Sequence, residues 1–177
     1  MTFTDELVAF IGTGQPPADG AATPTDWPAV RAAVDTAADR APSVAAVAEA
    51  YAIGALVADR VAAVLDSAPA ADRWSRQGVA GIVGAAAALG RLMNFDDQRI
   101  RHLLGLCATQ ATGLKSLDDT ETGALQVRKA ASDAVEAAVL VSHGFTSSAD
   151  GLAGRRGLFA LMAPGATVSG HFGWAQD

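Results

Sequence analysis

The sequence is poor in cysteine and has no long apolar run. It contains one cysteine in 177 residues, which excludes an internal disulfide and indicates a reducing compartment. The first ten residues, MTFTDELVAF, have neither a basic start nor a long apolar core, so a signal peptide is not predicted. A membrane span needs about 20 apolar residues, and charged side chains interrupt every apolar stretch. We therefore expect a soluble cytoplasmic protein without a membrane partner.

Cations are scarce relative to acids. The chain has 13 Lys and Arg against 19 Asp and Glu, for a formal net charge of −6. Such a chain repels phosphate backbones, so nucleic acid is not predicted as a partner. The 3 histidines do not recur at a helical metal-ligand spacing, and we predict neither a metal site nor a cofactor.

The histidines and the cysteine are interpreted mainly as structural residues rather than catalytic ones. His102 is interpreted as a surface or interface histidine, and His143 as a cation at a helix C-terminus. His171 and Trp174 belong to a tail that is either mobile or a recognition element. Cys107, on an apolar helical face, is typical of a packed thiol.

Aromatic residues make up only 6% of a chain that is 50% hydrophobic and rich in alanine. Alanine has the highest helix propensity, and the apolar residues recur at helical spacing. We predict an all-α fold, a compact bundle of about six helices in a single domain. Residues 1–26 form a short helix and a loop arm, residues 27–163 the helical domain and residues 164–177 a tail.

Cap residues place the helix starts. Thr4 predicts the start of the first helix, Asp26 of the second and Ser43 of the third. The fourth helix is predicted over 77–93, the fifth begins at Asp96 or Asp97, the sixth covers 124–143 up to Gly144, and a short last helix precedes Pro164. The third helix carries an apolar stripe of Val44, Val47, Tyr51, Gly54, Val57, Val61 and Val64.

Gly78, Gly81 and Gly84 lie on one side of the fourth helix. Glycine costs about 1 kcal/mol relative to alanine inside a helix, so its recurrence predicts a close helix crossing. A phosphate-binding loop is the alternative, but it requires a preceding strand that this sequence does not indicate.

The order of these segments resembles the helical domain of the MmgE/PrpD family, which includes 2-methylcitrate dehydratase and cis-aconitate decarboxylase. The resemblance covers residues 43–163, and its most specific parts are LLGLCATQATGL and HGFTSS. It also rests on the segment EAYAIGALVADRV and on WSRQG, where the family has Trp-His-x-Thr-Gly. The resemblance implies proton removal beside a carboxylate, in full-length members that carry a second, lid domain; we do not expect that domain here.

The departures from the family pattern fall on its chemistry. Ser75 and Gln77 stand where the family motif has His and Thr or Ser. Gly123 and Gln126 take the places of the Lys and His of Lys-Arg-x-His-x-Gly, and Arg128 replaces its Gly. Ala52 and Leu56 replace the Glu and Arg that often follow the tyrosine of the family pattern. Ser and Gln cannot act as a general base without activation.

With the family's motif residues replaced, a polar cluster is the remaining candidate for a functional site. Asp118, Arg128 and Gln77 are the candidate catalytic residues, with Asp119 and Glu121 nearby in the sequence; the same loop is equally typical of a solvated connection. Candidate ligand-binding residues for a small carboxylate are Trp74, Arg76, Gln77, Lys115, Arg128 and Lys129.

Two hypotheses follow. The first is a non-catalytic accessory protein that binds a ligand or partner, with self-association as a dimer covering its helix surface. The second is a small lyase, isomerase or cyclase with a rebuilt site for an anionic carboxylate.

Overall fold

Seven α-helices and two 3-10 helices form the regular structure in residues 2–14, 25–69 and 71–168, which the computed structural model describes. The α-helices are α1 (Phe3–Thr13), α2 (Pro28–Ala37), α3 (Val44–Asp66), α4 (Arg76–Leu92), α5 (Asp97–Gln110), α6 (Glu121–Ser142) and α7 (Leu158–Met162). The 3-10 helices are Ala38–Arg40 and Lys115–Leu117. These residues contain no β-strand, so the predicted all-α fold is confirmed.

The central helix of the bundle is α4. It contacts α1, α2, α3, α5 and α6, and every residue from 78 to 90 is buried. Its small side chains explain this position, because a helix lined by glycine and alanine admits neighbours on all sides at short range.

Helices α3 and α4 cross closely at two glycines. A Cβ added to Gly84 would lie 2.6 Å from the carbonyl oxygen of Gly54 and 2.7 Å from the Cβ of Ala58. A Cβ added to Gly54 would lie 2.7 Å from the carbonyl oxygen of Gly84. The two backbones therefore touch where a side chain would hold them apart, which confirms the predicted close crossing at Gly84. Gly78 lies instead against Thr112, and Gly81 against Ala29 of α2.

Each acidic residue of α3 is paired with a neighbouring element. An acid on a largely apolar helix is costly unless it has a partner. The pairs are Glu49 with Arg91 of α4, Asp59 with the indole N–H of Trp27 at 2.9 Å, and Asp66 with Arg76 of α4 at 2.5 Å.

Two of the predicted caps are confirmed. The hydroxyl oxygen of Ser43 accepts the N–H of Ala46 at 3.1 Å, and the carboxylate of Asp96 accepts the N–H of Arg99 at 2.8 Å. Both side chains satisfy a backbone donor that the first helical turn leaves without a partner.

Two other predicted caps are wrong. Thr2, not Thr4, caps α1, because Thr2 and Asp5 exchange side chain to backbone hydrogen bonds in a capping box. Thr4 is buried inside α1 and donates its hydroxyl to Asp150 at 3.1 Å. Asp26 does not cap α2, since its carboxylate is occupied by Arg31 and Tyr51.

Other differences concern helix ends. Val44 does not join the apolar stripe of α3, because the first residue of the helix projects beyond the bundle and is 86% exposed. The fourth and sixth helices begin earlier than predicted, at Arg76 and Glu121, because Ser75 and Thr120 cap them.

The N-terminal helix is part of the core. Phe3, Leu7 and Ile11 of α1 are buried with the other helices, and Phe3 packs edge to face against Phe159 of α7 at 5.3 Å. The predicted boundaries at residues 26 and 163 stay predictions. Most of the predicted loop arm, together with His171 and Trp174, lies outside the described residues.

Candidate functional site

An isolated antiparallel bridge between Trp74 and Leu114 organises the candidate site. The N–H of Ser75 donates to the carbonyl oxygen of Gly113 at 3.0 Å, and the N–H of Lys115 donates to that of Arg73 at 3.1 Å. This bridge fastens the segment that enters α4 to the segment that leaves α5. Two stretches that are distant in the sequence therefore share one surface.

Ser75 precedes α4 as its N-cap and is fully buried. Its hydroxyl oxygen accepts the N–H of Gly78 at 3.3 Å, as an N-cap does. Within α4, Gly78 lies so close to Thr112 that an added Cβ would overlap the Thr112 carbonyl group. The hydroxyl of Ser75 thus has a structural use at the place where the resemblance implies a histidine.

Ser75 and Gln126 both approach the position where a side chain on Gly113 would begin. A Cβ on Gly113 would lie 2.8 Å from the Cβ of Ser75 and 3.1 Å from the side-chain oxygen of Gln126. Gly113 has a φ of 125°, in the region that favours glycine. The two positions at which the resemblance implies histidines are therefore neighbours, and both lie within reach of the point that a side chain at Gly113 would occupy.

Gln126 is the centre of a hydrogen-bond chain that we call the Gln126 network, formed by Leu114, Lys115, Asp118 and Gln126. The side-chain oxygen of Gln126 accepts the N–H of Leu114 at 2.7 Å, and its NH2 group donates to Asp118 Oδ1 at 3.2 Å. Lys115 Nζ lies 3.2 Å from Asp118 Oδ2. Both functional ends of the Gln126 amide are therefore engaged in holding the loop between α5 and α6.

Gly123 lies against the same loop. An added Cβ would overlap the carbonyl group of Asp118, so a side chain at position 123 would require the backbone of residue 118 to move. The resemblance implies a lysine at this position. The loop that carries Asp118 occupies the space that the start of such a side chain would need.

The structure brings together only part of the predicted site. Lys115 and Asp118 are joined in the Gln126 network, and the half-buried Trp74 lies on the bridge beside Leu114. Arg76 instead pairs with Asp66 of α3. Lys129 pairs with Asp133 at 2.6 Å, one turn further along α6.

The other predicted residues have different surroundings. Arg128, Asp119 and Glu121 are exposed. The side-chain oxygen of Gln77 is buried without a hydrogen-bond donor among the described residues. This oxygen and the ring of Trp27 both lie near Gly81. A Cβ added to Gly81 would be 3.6 Å from the Gln77 oxygen and 3.8 Å from Trp27 Cε3.

His102, interpreted from the sequence as a surface or interface histidine, contacts the segment that follows α6. It is half-buried, and its Nδ1 lies 3.2 Å from the backbone nitrogen and 3.1 Å from the carbonyl oxygen of Ser147. The hydroxyl of Ser147 donates back to the carbonyl oxygen of His102 at 2.8 Å. His102 therefore ties the segment after α6 to α5.

His143 and Cys107 lie where the sequence predicts them. His143 ends α6, with its Nδ1 2.8 Å from the carbonyl oxygen of Val139. Cys107 is fully buried, and burial, with a smaller contribution from Asp133, raises the pKa of its thiol. It is a packed thiol, as predicted, because the neutral form is favoured in an apolar interior.

A second polar cluster was missed by sequence reasoning. Tyr51 donates to Asp26 at 3.0 Å, and the guanidinium of Arg31 lies over the Tyr51 ring at 4.6 Å and pairs with Asp26 at 2.8 Å. Asp59 accepts both the indole N–H of Trp27 and the backbone N–H of Thr25. The available signal was Asp59 itself, a carboxylate on a mostly apolar helix that needs donors.

The described residues contain no group of three or more His, Cys, Asp or Glu side chains arranged to hold a metal ion. No helix among them is sufficiently long and apolar to cross a membrane.

Comparison with known proteins agrees with the helical architecture. The model of the MmgE/PrpD N-terminal domain matches residues 18–171 of this chain, which is most of the 177 residues. No curated protein shows significant similarity to it. The match spans the central α3 and α4 crossing and the Gln126 network, and the chain therefore belongs to the MmgE/PrpD family.

Proposed function

We propose that this chain is a non-catalytic member of its family, an accessory protein that acts by binding a partner or an anionic small molecule. The Gln126 network is the observation that supports this proposal. At the two positions where the resemblance implies histidines, Ser75 and Gln126, the chain has polar side chains that are hydrogen-bonded to its own backbone and side chains.

A general base must have a free lone pair and a pKa near the working pH. The amide of Gln126 has no basic group in that range, and its oxygen is occupied by the N–H of Leu114. The hydroxyl of Ser75 is buried as a helix cap. Neither residue can take a proton from a substrate in this arrangement.

A small carboxylate is the ligand that the exposed cations favour. Arg128 is exposed on the first half of α6, close in sequence to Lys129, and an arginine binds a carboxylate through two parallel hydrogen bonds. For the helix surface, we propose that a second copy of the chain, in a dimer, or a partner protein covers it.

Light scattering and calorimetry test the proposal. We expect a dimer mass at micromolar concentration, or saturable binding of cis-aconitate that weakens at least fivefold in Arg128→Ala. Arg155→Ala is the matched control, because Arg155 is exposed on the turn before α7. A monomer that binds no cis-aconitate and recovers no specific partner in a pull-down would contradict the proposal.

One observation favours a second candidate, a small lyase, isomerase or cyclase with a rebuilt site. The buried oxygen of Gln77 has no donor among the described residues, and buried acceptors in native proteins usually have one. In a rebuilt site this oxygen would accept a hydrogen bond from a carboxylic acid or hydroxyl of the substrate. Asp118 and Arg128 would act as acid–base and anion-binding residues.

Turnover of a panel of di- and tricarboxylates, followed by proton NMR, tests this candidate. A rebuilt enzyme would consume one of them and lose that activity in Asp118→Ala and Arg128→Ala, with Arg155→Ala unchanged. Turnover that is equal in all of these variants would exclude this assignment of the site.

A further inference from the structure

We draw no further inference here: the strongest candidate, the apolar patch of exposed Leu114 and Leu125 beside the Gln126 network at the start of α6, carries nothing because nothing in the structure shows what covers it.

Discussion

Gln126 of α6 holds the backbone of Leu114, since its side-chain oxygen accepts the Leu114 N–H at 2.7 Å. Leu114 in turn forms the bridge to Trp74 at the entrance of α4. One amide side chain therefore connects α6 to the segments around the start of α4. In this molecule that position stabilises the fold, where the family resemblance implies a proton-transfer group.

Replacing Gln126 with leucine should destabilise the protein. Gln126→Leu keeps the approximate size of the side chain but removes an acceptor from Leu114 and a donor from Asp118. We expect a loss of about 1–2 kcal/mol in the free energy of unfolding, because both bonds are partly open to water. Urea unfolding measures it. The exposed Leu125→Ala is the control and should stay within about 0.5 kcal/mol of the parent.

Alanine should change the stability of the protein in opposite ways at two glycines of α4, Gly84 and Gly90. At Gly84 a Cβ would meet the Gly54 carbonyl at 2.6 Å, whereas at Gly90 the nearest atom would be 3.4 Å away. Gly84→Ala should therefore cost about 1–3 kcal/mol through overpacking. Gly90→Ala should be neutral or stabilising by up to about 1 kcal/mol through helix propensity. Equal melting temperatures for the two variants would show that the α3 and α4 crossing is looser than described.

Restoring a lysine at position 123 should damage the loop without creating activity. Gly123→Lys forces a side chain against the Asp118 carbonyl group, so the contacts of Asp118 with Gln126 and Lys115 should weaken. We expect a loss of about 1–3 kcal/mol, whereas Ala124→Lys, at an exposed neighbouring position, should be tolerated. If Gly123→Lys matched the stability of Ala124→Lys, the loop would have room for the side chain.

Acid should weaken the N-terminal cap. Hydrogen bonds from Thr2, the largest from its backbone N–H, lower the pKa of Asp5 from 3.8 to about 2, and Arg101 contributes to the shift. Because the pKa is lower in the folded state, this contribution is fully present above pH 3.8 and is lost as the pH falls through about 2.

Carbon NMR titration of the Asp5 carboxyl group measures this directly. Its midpoint should lie near 2, and Asp5→Asn should make the melting temperature fall less steeply over the same acid range. A midpoint near 3.8, or an unchanged slope in Asp5→Asn, would contradict the capping-box account.

Much of the fold could be predicted from the sequence, because helix periodicity and caps are local signals. The caps Ser43 and Asp96 are predictable because each bonds a residue three positions away. The local pattern is wrong at Thr4 and Asp26, because tertiary partners determine where these side chains lie: Asp150 for Thr4 and Tyr51 for Asp26. The chain alone does not reveal such partners.

The candidate site was less predictable than the helices. Ser75, Gly113 and Gln126 come from three separate segments, and their convergence depends on the bridge at Trp74 and the unusual φ of Gly113. The sequence predicts Arg76 and Lys129 as site residues only because they are close to the other candidates along the chain. Each has a nearer acid, on α3 and α6 respectively, and ion pairs form with the closest partner.

The most direct test of the central claim is turnover of cis-aconitate and 2-methylcitrate by the purified chain, followed by proton NMR. If the residues at the family motif positions serve the structure alone, product formation should equal that of a protein-free blank, both for the parent and for Gln126→Leu. Formation above the blank that Gln126→Leu abolishes and Leu125→Ala preserves would contradict the account.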